Sequence, residues 1–167
     1  DVGTGSGAIM VSLGHNIKGA KILGIDISKK SLNIARENIK KYDLKQRLKV
    51  AQGNLLEPLL RLNKNNVDIV VSNPPYISST AMGELPPEVK KEPELALDGG
   101  VEGLKIYRQL IPQAARVLRR QGLLALEIGY DQASSIRQLM DDNWDNIRVK
   151  QDYAGKDRVI LASSLGK

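Results

Sequence analysis

"DVGTGSGA", residues 1–8, is a glycine-rich segment that indicates the class of fold. Gly3, Gly5 and Gly7 alternate with other residues and lead directly into an apolar segment. Glycines at this spacing permit a tight turn from a strand into a helix and allow a ligand to approach the backbone closely. Such glycines are also common in purely structural turns. Their meaning therefore depends on what the neighbouring strands carry at their ends.

The apolar runs after this loop predict an alternation of strands and helices. Runs rich in β-branched residues end at polar or glycine residues, and segments with helical spacing separate them. We expect parallel strands at residues 20–26, 47–53, 67–73 and 122–129. We expect helices near residues 32–42, 104–118 and 136–140. Ser28 is the expected N-cap of the first helix, and Arg119, Arg120 and Gly122 mark the expected end of the second.

The last part of the chain changes character. Residues 146–153 and 158–163 are two strand-like runs joined by the short turn "AGKD", which predicts an antiparallel hairpin at the edge of the sheet. The alternation before it predicts an α/β fold with a doubly wound, mostly parallel sheet and an antiparallel C-terminal hairpin strand. Sheets of this type bind ligands at the carboxyl ends of their strands.

Polar residues stand at two of these expected strand ends. The strand after the glycine loop ends in Asp26, roughly twenty residues further on, where an acid can accept hydrogen bonds from both hydroxyls of a ribose. A helix-capping role is the alternative for this acid. The next strand is followed by Asn54, whose side chain can meet an adenine amino group. These positions indicate a ligand that contains a nucleoside.

Two such ligands fit a glycine loop with a ribose acid, a dinucleotide and S-adenosylmethionine. The dinucleotide fingerprint is G-x-G-x-x-G, whereas this loop reads G-x-G-x-G with Asp1 two residues before the first glycine. That carboxylate would repel a pyrophosphate but can meet the ammonium of a methionine moiety. The antiparallel last strand also favours a methyltransferase sheet over a dehydrogenase sheet. S-adenosylmethionine is therefore the predicted cofactor.

A second dense motif is "DIVVSNPPYISS", residues 68–79. Prolines end strands readily because they cannot donate to the sheet ladder, and a strand-ending turn with a surface tyrosine is the simplest interpretation. That interpretation explains the prolines but does not explain why Asn73 and Tyr76 stand beside them. Beside a predicted cofactor loop, we interpret residues 73–76 as part of an active site. The polar segment that follows, residues 78–103, has the length of a functional or disordered loop.

Composition narrows the class of protein. A chain of 167 residues with 41% apolar content can bury one sizeable core, and one domain is expected. With no cysteine and one histidine, disulfides, thiolate sites, a cysteine nucleophile and histidine-rich metal sites are excluded, and we predict no metal. The absence of a long apolar run predicts a soluble, intracellular protein. The net charge of +6 is compatible with binding to a polyanion such as nucleic acid. The basic residues are scattered along the chain, however, which is typical of a solvated surface.

The motifs in their order carry a family resemblance that spans essentially the whole chain. "DVGTGSG", "GIDIS", "GN" and "NPPY" resemble the class I S-adenosylmethionine-dependent methyltransferases, whose fold is Rossmann-like. "SNPPYI", "EPELALDGG", "LLALEIGYDQ" and "DYAGKDRVILA" look like the release-factor glutamine methyltransferases. The NPPY tetrad is shared with adenine-amino methyltransferases and marks planar nitrogen targets in general. The other segments are the narrower signals.

The resemblance implies a role for each residue of the tetrad. The Asn73 side-chain oxygen and the Pro74 carbonyl would accept hydrogen bonds from the two N–H groups of a glutamine amide, localise its lone pair and aim it at the methyl group. Pro75 would stiffen the turn, and Tyr76 would stack on the planar amide. The rate would then come from orientation and electrostatic placement, without a strong general base.

The resemblance also implies a cofactor site. The methionine portion would lie at Asp1, Gly3, Thr4 and Gly5, and the ribose at Asp26. Ile27 and Leu55 would enclose the adenine, with Asn54 at its edge. The cofactor set that we predict is completed by two residues, Gly7 and Asn73. Asn54 departs from the family, which usually carries an acid there. Its carbonyl can still accept from the adenine amino group, but without charge, which predicts a somewhat lower affinity.

The same resemblance predicts the organisation of the enzyme. We expect residues 1–167 to be a catalytic domain that a helical substrate-recognition domain and a first strand precede in the family. Without them we expect lower stability and poorer recognition of the protein substrate. The expected substrate is the Gly-Gly-Gln motif of peptide chain release factors, and the expected enzyme is a cytoplasmic monomer that meets nucleic acid only through the ribosome. Three alternatives stay open: a ribosomal-protein glutamine methyltransferase, a DNA or RNA adenine-amino methyltransferase, and a cofactor-binding protein without activity.

Overall fold

The computed structural model of the chain describes residues 1–166, and helices alternate with strands along them. The helices are α1 (Ala8–Asn16), α2 (Lys29–Lys41), α3 (Glu57–Arg61), α4 (Lys105–Val117) and α5 (Ala133–Gln138). The strands are β1 (Ile22–Asp26), β2 (Leu48–Gln52), β3 (Val67–Ser72), β4 (Leu118–Glu127), β5 (Trp144–Gln151) and β6 (Asp157–Ser164). The long polar segment contains three short 3₁₀ turns, Ala81–Glu84, Val89–Lys91 and Glu94–Ala96. In this described part of the chain, no helix is long and apolar enough to cross a membrane.

The first of two compact units, Asp1–Lys64, is built on a parallel pair of strands. β1 and β2 run in register, with Asp26 opposite Gln52, so the residues that follow the two strands lie at the same edge. Helix α2 has the predicted N-cap, since the Ser28 hydroxyl oxygen accepts from the Ser31 N–H at 3.2 Å. A core cluster of buried side chains contains Met10, Val11, Ile39, Leu44 and Leu48.

The second unit, from Asn65 onward, contains a four-stranded sheet of order β3-β4-β6-β5. β3 and β4 are parallel, whereas β6 is antiparallel to both β4 and β5. The predicted antiparallel hairpin at a sheet edge is therefore confirmed, as is the α/β class. Tyr107 on α4 is fully buried, and its hydroxyl donates to the Glu127 carbonyl at 2.7 Å, which ties this helix to β4.

The sequence prediction was wrong about where β4 begins. The helix ends at Val117, and Leu118 already pairs with Val67. Arg119, expected at the helix end, lies in the strand, and its Nε donates to a carboxylate oxygen of Asp68 at 2.6 Å. Gln121, with φ of +60°, then shifts the register before the regular part of the strand. Pairing with β3 thus overrides the local helix-end signal.

Candidate active site

The glycine loop runs along the carboxyl end of β1. The N–H groups of Gly3 and Thr4 both donate to the Ile25 carbonyl, at 2.8 and 3.1 Å. Gly3 has φ of +66°, and a Cβ added there would have nothing within 4 Å, so the backbone conformation requires glycine and the space beside it is open. Gly7, at φ of +81°, precedes α1, and a Cβ on it would lie 3.2 Å from the Ala35 Cβ. The loop is therefore open on one side and packed on the other.

The Asp1 carboxylate is held beneath this loop. One oxygen accepts from the Thr4 hydroxyl at 2.6 Å and from the Met10 N–H at 3.2 Å. Its other oxygen, Oδ1, is buried and has no hydrogen-bond partner among residues 1–166. A buried carboxylate oxygen without a donor is costly, which calls for a cationic or N–H group from outside this part of the chain. The ammonium of S-adenosylmethionine fits that requirement.

Asp26 ends β1 with both carboxylate oxygens on backbone donors. Oδ2 accepts from the Gly5 N–H and Oδ1 from the Ser28 N–H, each at 2.8 Å. Ser28, and not Asp26, caps α2. Because each carboxylate oxygen has further acceptor capacity, the fixed carboxylate can still receive two hydroxyls. A ribose diol fits this site.

The residues predicted to surround adenine lie where β1 and β2 end. Ile27 is 52% exposed although it is apolar, and its carbonyl accepts from the Gln52 side chain at 3.0 Å. Leu55 is half-buried in the left-handed region, with φ of +50°. The Asn54 amide donates to a Glu57 carboxylate oxygen at 3.4 Å, which directs its N–H group away and leaves its carbonyl as an acceptor. The first unit thus brings the predicted cofactor residues other than Asn73 into one region.

The segment Asn73–Tyr76 follows β3 in the second unit. Asn73 is exposed, Pro74 is buried, and Pro75 and Tyr76 are half-buried. Neither the Asn73 side chain nor the Pro74 carbonyl takes part in a hydrogen bond within residues 1–166. Within this part of the chain, neither predicted acceptor has its hydrogen-bonding capacity taken up.

The loop after this segment is fastened at its base. The Ile77 N–H donates to the Leu97 carbonyl at 3.0 Å, and the Ser79 N–H to the Gly100 carbonyl at 3.0 Å. Asp98 accepts from the Gly100 N–H at 2.9 Å and from the Ser79 hydroxyl at 2.8 Å, and these bonds, the first most strongly, hold the pKa of its carboxyl below the usual value. Asp98 therefore lies at the base of the loop and joins its two ends.

A cleft of about 470 Å³ opens beside Tyr76. Its lining includes Tyr76, Ser78, Glu102, Tyr130, Gln132 and Arg158. Arg158, at the start of β6, donates to a carboxylate oxygen of Asp152 at 3.2 Å and to the Ile128 carbonyl at 3.4 Å. Lys156 of the hairpin turn lies 5.1 Å from the Tyr130 ring centre, a cation–π contact. The "AGKDR" hairpin is thereby anchored next to the NPPY segment.

Burial and neighbouring charges shift the pKa values of several groups in and near this cleft. The hydrogen bond that Arg158 donates to the Asp152 carboxylate raises the pKa of the Arg158 guanidinium, and Tyr76 and Glu127 act in the same direction. Burial raises the pKa of the Glu127 carboxyl, with the Arg158 charge opposing it. Burial likewise raises the pKa of Tyr107. In the part of the chain that the structure describes, no cluster of histidine and acidic side chains could hold a metal.

Sequence reasoning assigned no role to Gln132 or Arg158. Both lie in motifs, "EIGYDQ" and "AGKDR", that carried the family resemblance, but their partners are distant in sequence. Gln132 reaches a carbonyl 56 residues earlier, and Arg158 one 30 residues earlier. Only the resemblance of these motifs pointed to them.

The chain matches a known protein family over most of its length. A family model described as a methyltransferase domain matches residues 1–157. The chain belongs to this methyltransferase family. The predicted class I fold is thereby confirmed, and with it S-adenosylmethionine as the cofactor.

Curated relatives in this family carry a narrower name. The release factor glutamine methyltransferase of Moorella thermoacetica is 48% identical over 164 residues, which cover 97% of this chain and 57% of that protein. The release factor glutamine methyltransferase of Caulobacter vibrioides is 42% identical over 163 residues, which cover 96% of this chain and 55% of that protein. The chain therefore spans little more than half the length of these relatives.

Solved structures show the same fold at lower identity. TrmN from Thermus thermophilus gives a TM-score of 0.70 at 19% identity, covering 99% of this chain and 43% of that one. The hMettl16 catalytic domain, solved in complex with hairpin 6 of the MAT2A 3′UTR, gives a TM-score of 0.72 at 17% identity, covering 99% of this chain and 64% of that one. At these identities the likeness concerns the fold alone.

Proposed function

We propose that this methyltransferase transfers a methyl group from S-adenosylmethionine to the side-chain amide nitrogen of a glutamine, in the Gly-Gly-Gln motif of peptide chain release factors. The observation that carries the proposal is the pair of free acceptors at Asn73 and Pro74, on a proline-stiffened segment after β3. The 48% identity to a release factor glutamine methyltransferase supports the choice of substrate.

The cofactor site of the proposal lies in the first unit. The buried Asp1 oxygen without a donor matches the ammonium group, and Asp26 matches the ribose hydroxyls. The exposed apolar surface of Ile27 matches the adenine face. When bound, the cofactor supplies an electrophilic methyl group on a sulfonium. The residues of the chain hold this methyl group in place and keep it from reacting with other groups.

The acceptor chemistry of the proposal rests on two oxygens. An amide nitrogen is a weak nucleophile because its lone pair is delocalised into the carbonyl. The Asn73 Oδ1 and the Pro74 carbonyl accept the two amide N–H groups, which orients the nitrogen and favours a localised lone pair. As the N–C bond forms and the S–C bond breaks, the nitrogen becomes strongly acidic and one of its protons passes to solvent. The products are S-adenosylhomocysteine and N-methylglutamine, and no strong base is needed.

We further propose that residues 1–167 act as one catalytic domain and that the enzyme works as a cytoplasmic monomer. The release factor is the proposed partner, and nucleic acid enters only through the ribosome. A monomer is compatible with a site built from residues of a single chain. Light scattering of the purified protein at several concentrations tests the oligomeric state, and a mass that rises with concentration would contradict the monomer.

Acceptor mapping tests the proposal as a whole. The protein is incubated with S-adenosylmethionine and a mixture of release factor, ribosomal proteins and DNA, and the methyl group is located by mass spectrometry. We expect it on the glutamine of the Gly-Gly-Gln motif. A methyl group on a ribosomal-protein glutamine, on adenine, or on none of the components would overturn the proposed substrate.

A further inference from the structure

Gln132 joins three loops of the second unit with one side chain. It stands between β4 and α5, and its Nε2 donates to the Tyr76 carbonyl at 3.0 Å and to the Gly103 carbonyl at 3.3 Å. Its Oε1 accepts from the Gly129 N–H at 2.9 Å. The loops after β3, before α4 and after β4 therefore meet at a single amide group. A glutamine amide is suited to this place because it supplies two donors and an acceptor.

The glycines around this amide leave no room for side chains of their own. A Cβ on Gly103 would lie 2.3 Å from the Tyr76 carbonyl oxygen and 2.6 Å from the Gln132 Nε2. A Cβ on Gly99 would lie 2.8 Å from the Gly103 Cα, and one on Gly129 would lie 3.0 Å from the Gln132 Oε1. The glycines allow three backbones to close on one side chain. The position of the Tyr76 carbonyl is therefore set by packing as well as by its hydrogen bond.

This junction fixes one end of the NPPY segment. The other end is fixed by the sheet, where Ser72 of β3 stands opposite Leu126 of β4. Between the two ends, Pro74 and Pro75 each have φ restricted to about −65° by the pyrrolidine ring, which leaves few free torsions. Holding the Tyr76 peptide thus restricts the direction in which Asn73 points. Loss of the bond at Tyr76 would release the segment at one end.

We propose that Gln132 is a positioning residue for the acceptor, which holds the NPPY segment in its reactive shape through the Tyr76 carbonyl. This inference rests on the proposed function for the identity of the acceptor. Gln132 itself does not touch the reacting atoms. Its effect falls on the orientation of the acceptor amide, and all of its hydrogen-bond partners lie within the second unit.

Two isosteric variants and one matched control test the inference. Gln132→Glu keeps the acceptor for Gly129 but replaces the donor with an oxygen facing two carbonyls, and Gln132→Met removes both functions. Gln138→Glu makes the same charge change at the exposed end of α5. The measurements are kcat and KM for a Gly-Gly-Gln peptide and the Kd for S-adenosylhomocysteine by calorimetry.

We expect both Gln132 variants to lower kcat by about a hundredfold, the cost of misplacing a reacting group by roughly 1 Å, while KM changes less than about threefold. We expect the Kd for S-adenosylhomocysteine and all parameters of Gln138→Glu to stay at their wild-type values. Unchanged kcat in both Gln132 variants would overturn the inference. A parallel loss of cofactor binding and kcat would also overturn it, since it would show general unfolding.

Hydrogen exchange separates this inference from the proposed function. Exchange of the segment 73–79 is followed by mass spectrometry in the wild type, Gln132→Met and Gln138→Glu, with no acceptor present. Faster exchange in Gln132→Met alone supports the positioning role even if the wild type does not methylate the peptide. Equal exchange in all three proteins would overturn it, whatever the acceptor proves to be.

Discussion

The Gly5 N–H donates a hydrogen bond of 2.8 Å to the Asp26 carboxylate, so the acid that ends β1 also fixes the glycine loop. The Ser28 N–H occupies the second oxygen at 2.8 Å. One carboxylate thus sets the conformation of two backbone segments and keeps acceptor capacity for a ligand. Cofactor affinity and loop geometry depend on the same side chain.

Asp26→Asn is expected to weaken cofactor binding. The amide nitrogen that replaces one oxygen cannot accept, so a backbone donor and a ribose hydroxyl both lose their partner. Hydrogen bonds to charged groups contribute roughly 1.5–3 kcal/mol, which predicts a rise in the Kd of about ten- to a hundredfold. Calorimetric titration with S-adenosylhomocysteine measures it. Asp142→Asn, an exposed site before β5, serves as the control, and equal Kd values for the two variants would contradict the assignment.

Thr4→Val is expected to lower stability. Thr4 is 6% exposed, and its hydroxyl donates to the Asp1 carboxylate at 2.6 Å. The variant keeps the shape but removes a donor from a partly buried carboxylate, which costs about 1–3 kcal/mol in the free energy of unfolding. Urea denaturation measures this cost. The exposed Thr80→Val change should shift the midpoint far less, and an equal shift in both variants would contradict a specific contribution from the Asp1 contact.

Alanine substitutions at two glycines with similar φ angles distinguish the cost of backbone strain from the cost of steric overlap with neighbouring atoms. Gly103 and Gly155 have φ of +69° and +74°, but only Gly103 has neighbours that an added Cβ would meet. Alanine at either site incurs the left-handed penalty of about 1–2 kcal/mol. At Gly103 we expect a further ~1–3 kcal/mol from overpacking against the Tyr76 carbonyl, together with loss of methyl transfer. Equal unfolding free energies and equal activities for the two variants would contradict close packing of Gly103 against the Tyr76 carbonyl.

The hairpin turn gives a pH-dependent prediction. The Lys156 N–H lowers the pKa of the Asp152 carboxyl most strongly, and the Arg158 and Ala154 donors add to it. A lowered pKa in the folded state means that the carboxylate stabilises the protein above its unfolded pKa of about 3.9 and loses this contribution as pH falls. Asp152→Asn should therefore be less stable than the wild type at pH 7, with the difference shrinking below roughly pH 4.

Denaturation curves at several pH values check this sign. Asp142→Asn provides the matched control, because it removes the same charge from an exposed site. A gap between Asp152→Asn and the wild type that stays constant down to pH 3, or that grows as the pH falls, would contradict the predicted linkage.

Local signals in the sequence predicted most of the fold. Strand–helix alternation, the Ser28 cap and the C-terminal hairpin are encoded within a few residues, and the structure has each of them. The start of β4 was missed because Arg119 reads locally as a helix end, whereas its partner Asp68 is 51 residues away. Tertiary pairing decided that boundary.

The residues of the candidate site also differ in whether the sequence alone could predict their role. Asp26 and Asn73 follow directly from strands, so their neighbourhood could be predicted from the sequence. The role of Gln132 depends on the Tyr76 carbonyl, and backbone carbonyls leave no mark in a sequence. A side chain that acts by holding distant backbone atoms becomes visible only once the fold brings them together.

Two asparagine variants show whether Asn73 is needed for methyl transfer. Methyl transfer to a Gly-Gly-Gln peptide is followed by mass spectrometry in the wild type, in Asn73→Ala and in Asn66→Ala, an exposed asparagine just before β3. We predict a methyl group on the peptide glutamine with the wild type and Asn66→Ala, and a loss of at least about a hundredfold in rate with Asn73→Ala, as for removal of one preorganised electrostatic contact. Undiminished methylation by Asn73→Ala, with the cofactor bound normally, would contradict the role of Asn73 as an acceptor for the glutamine amide.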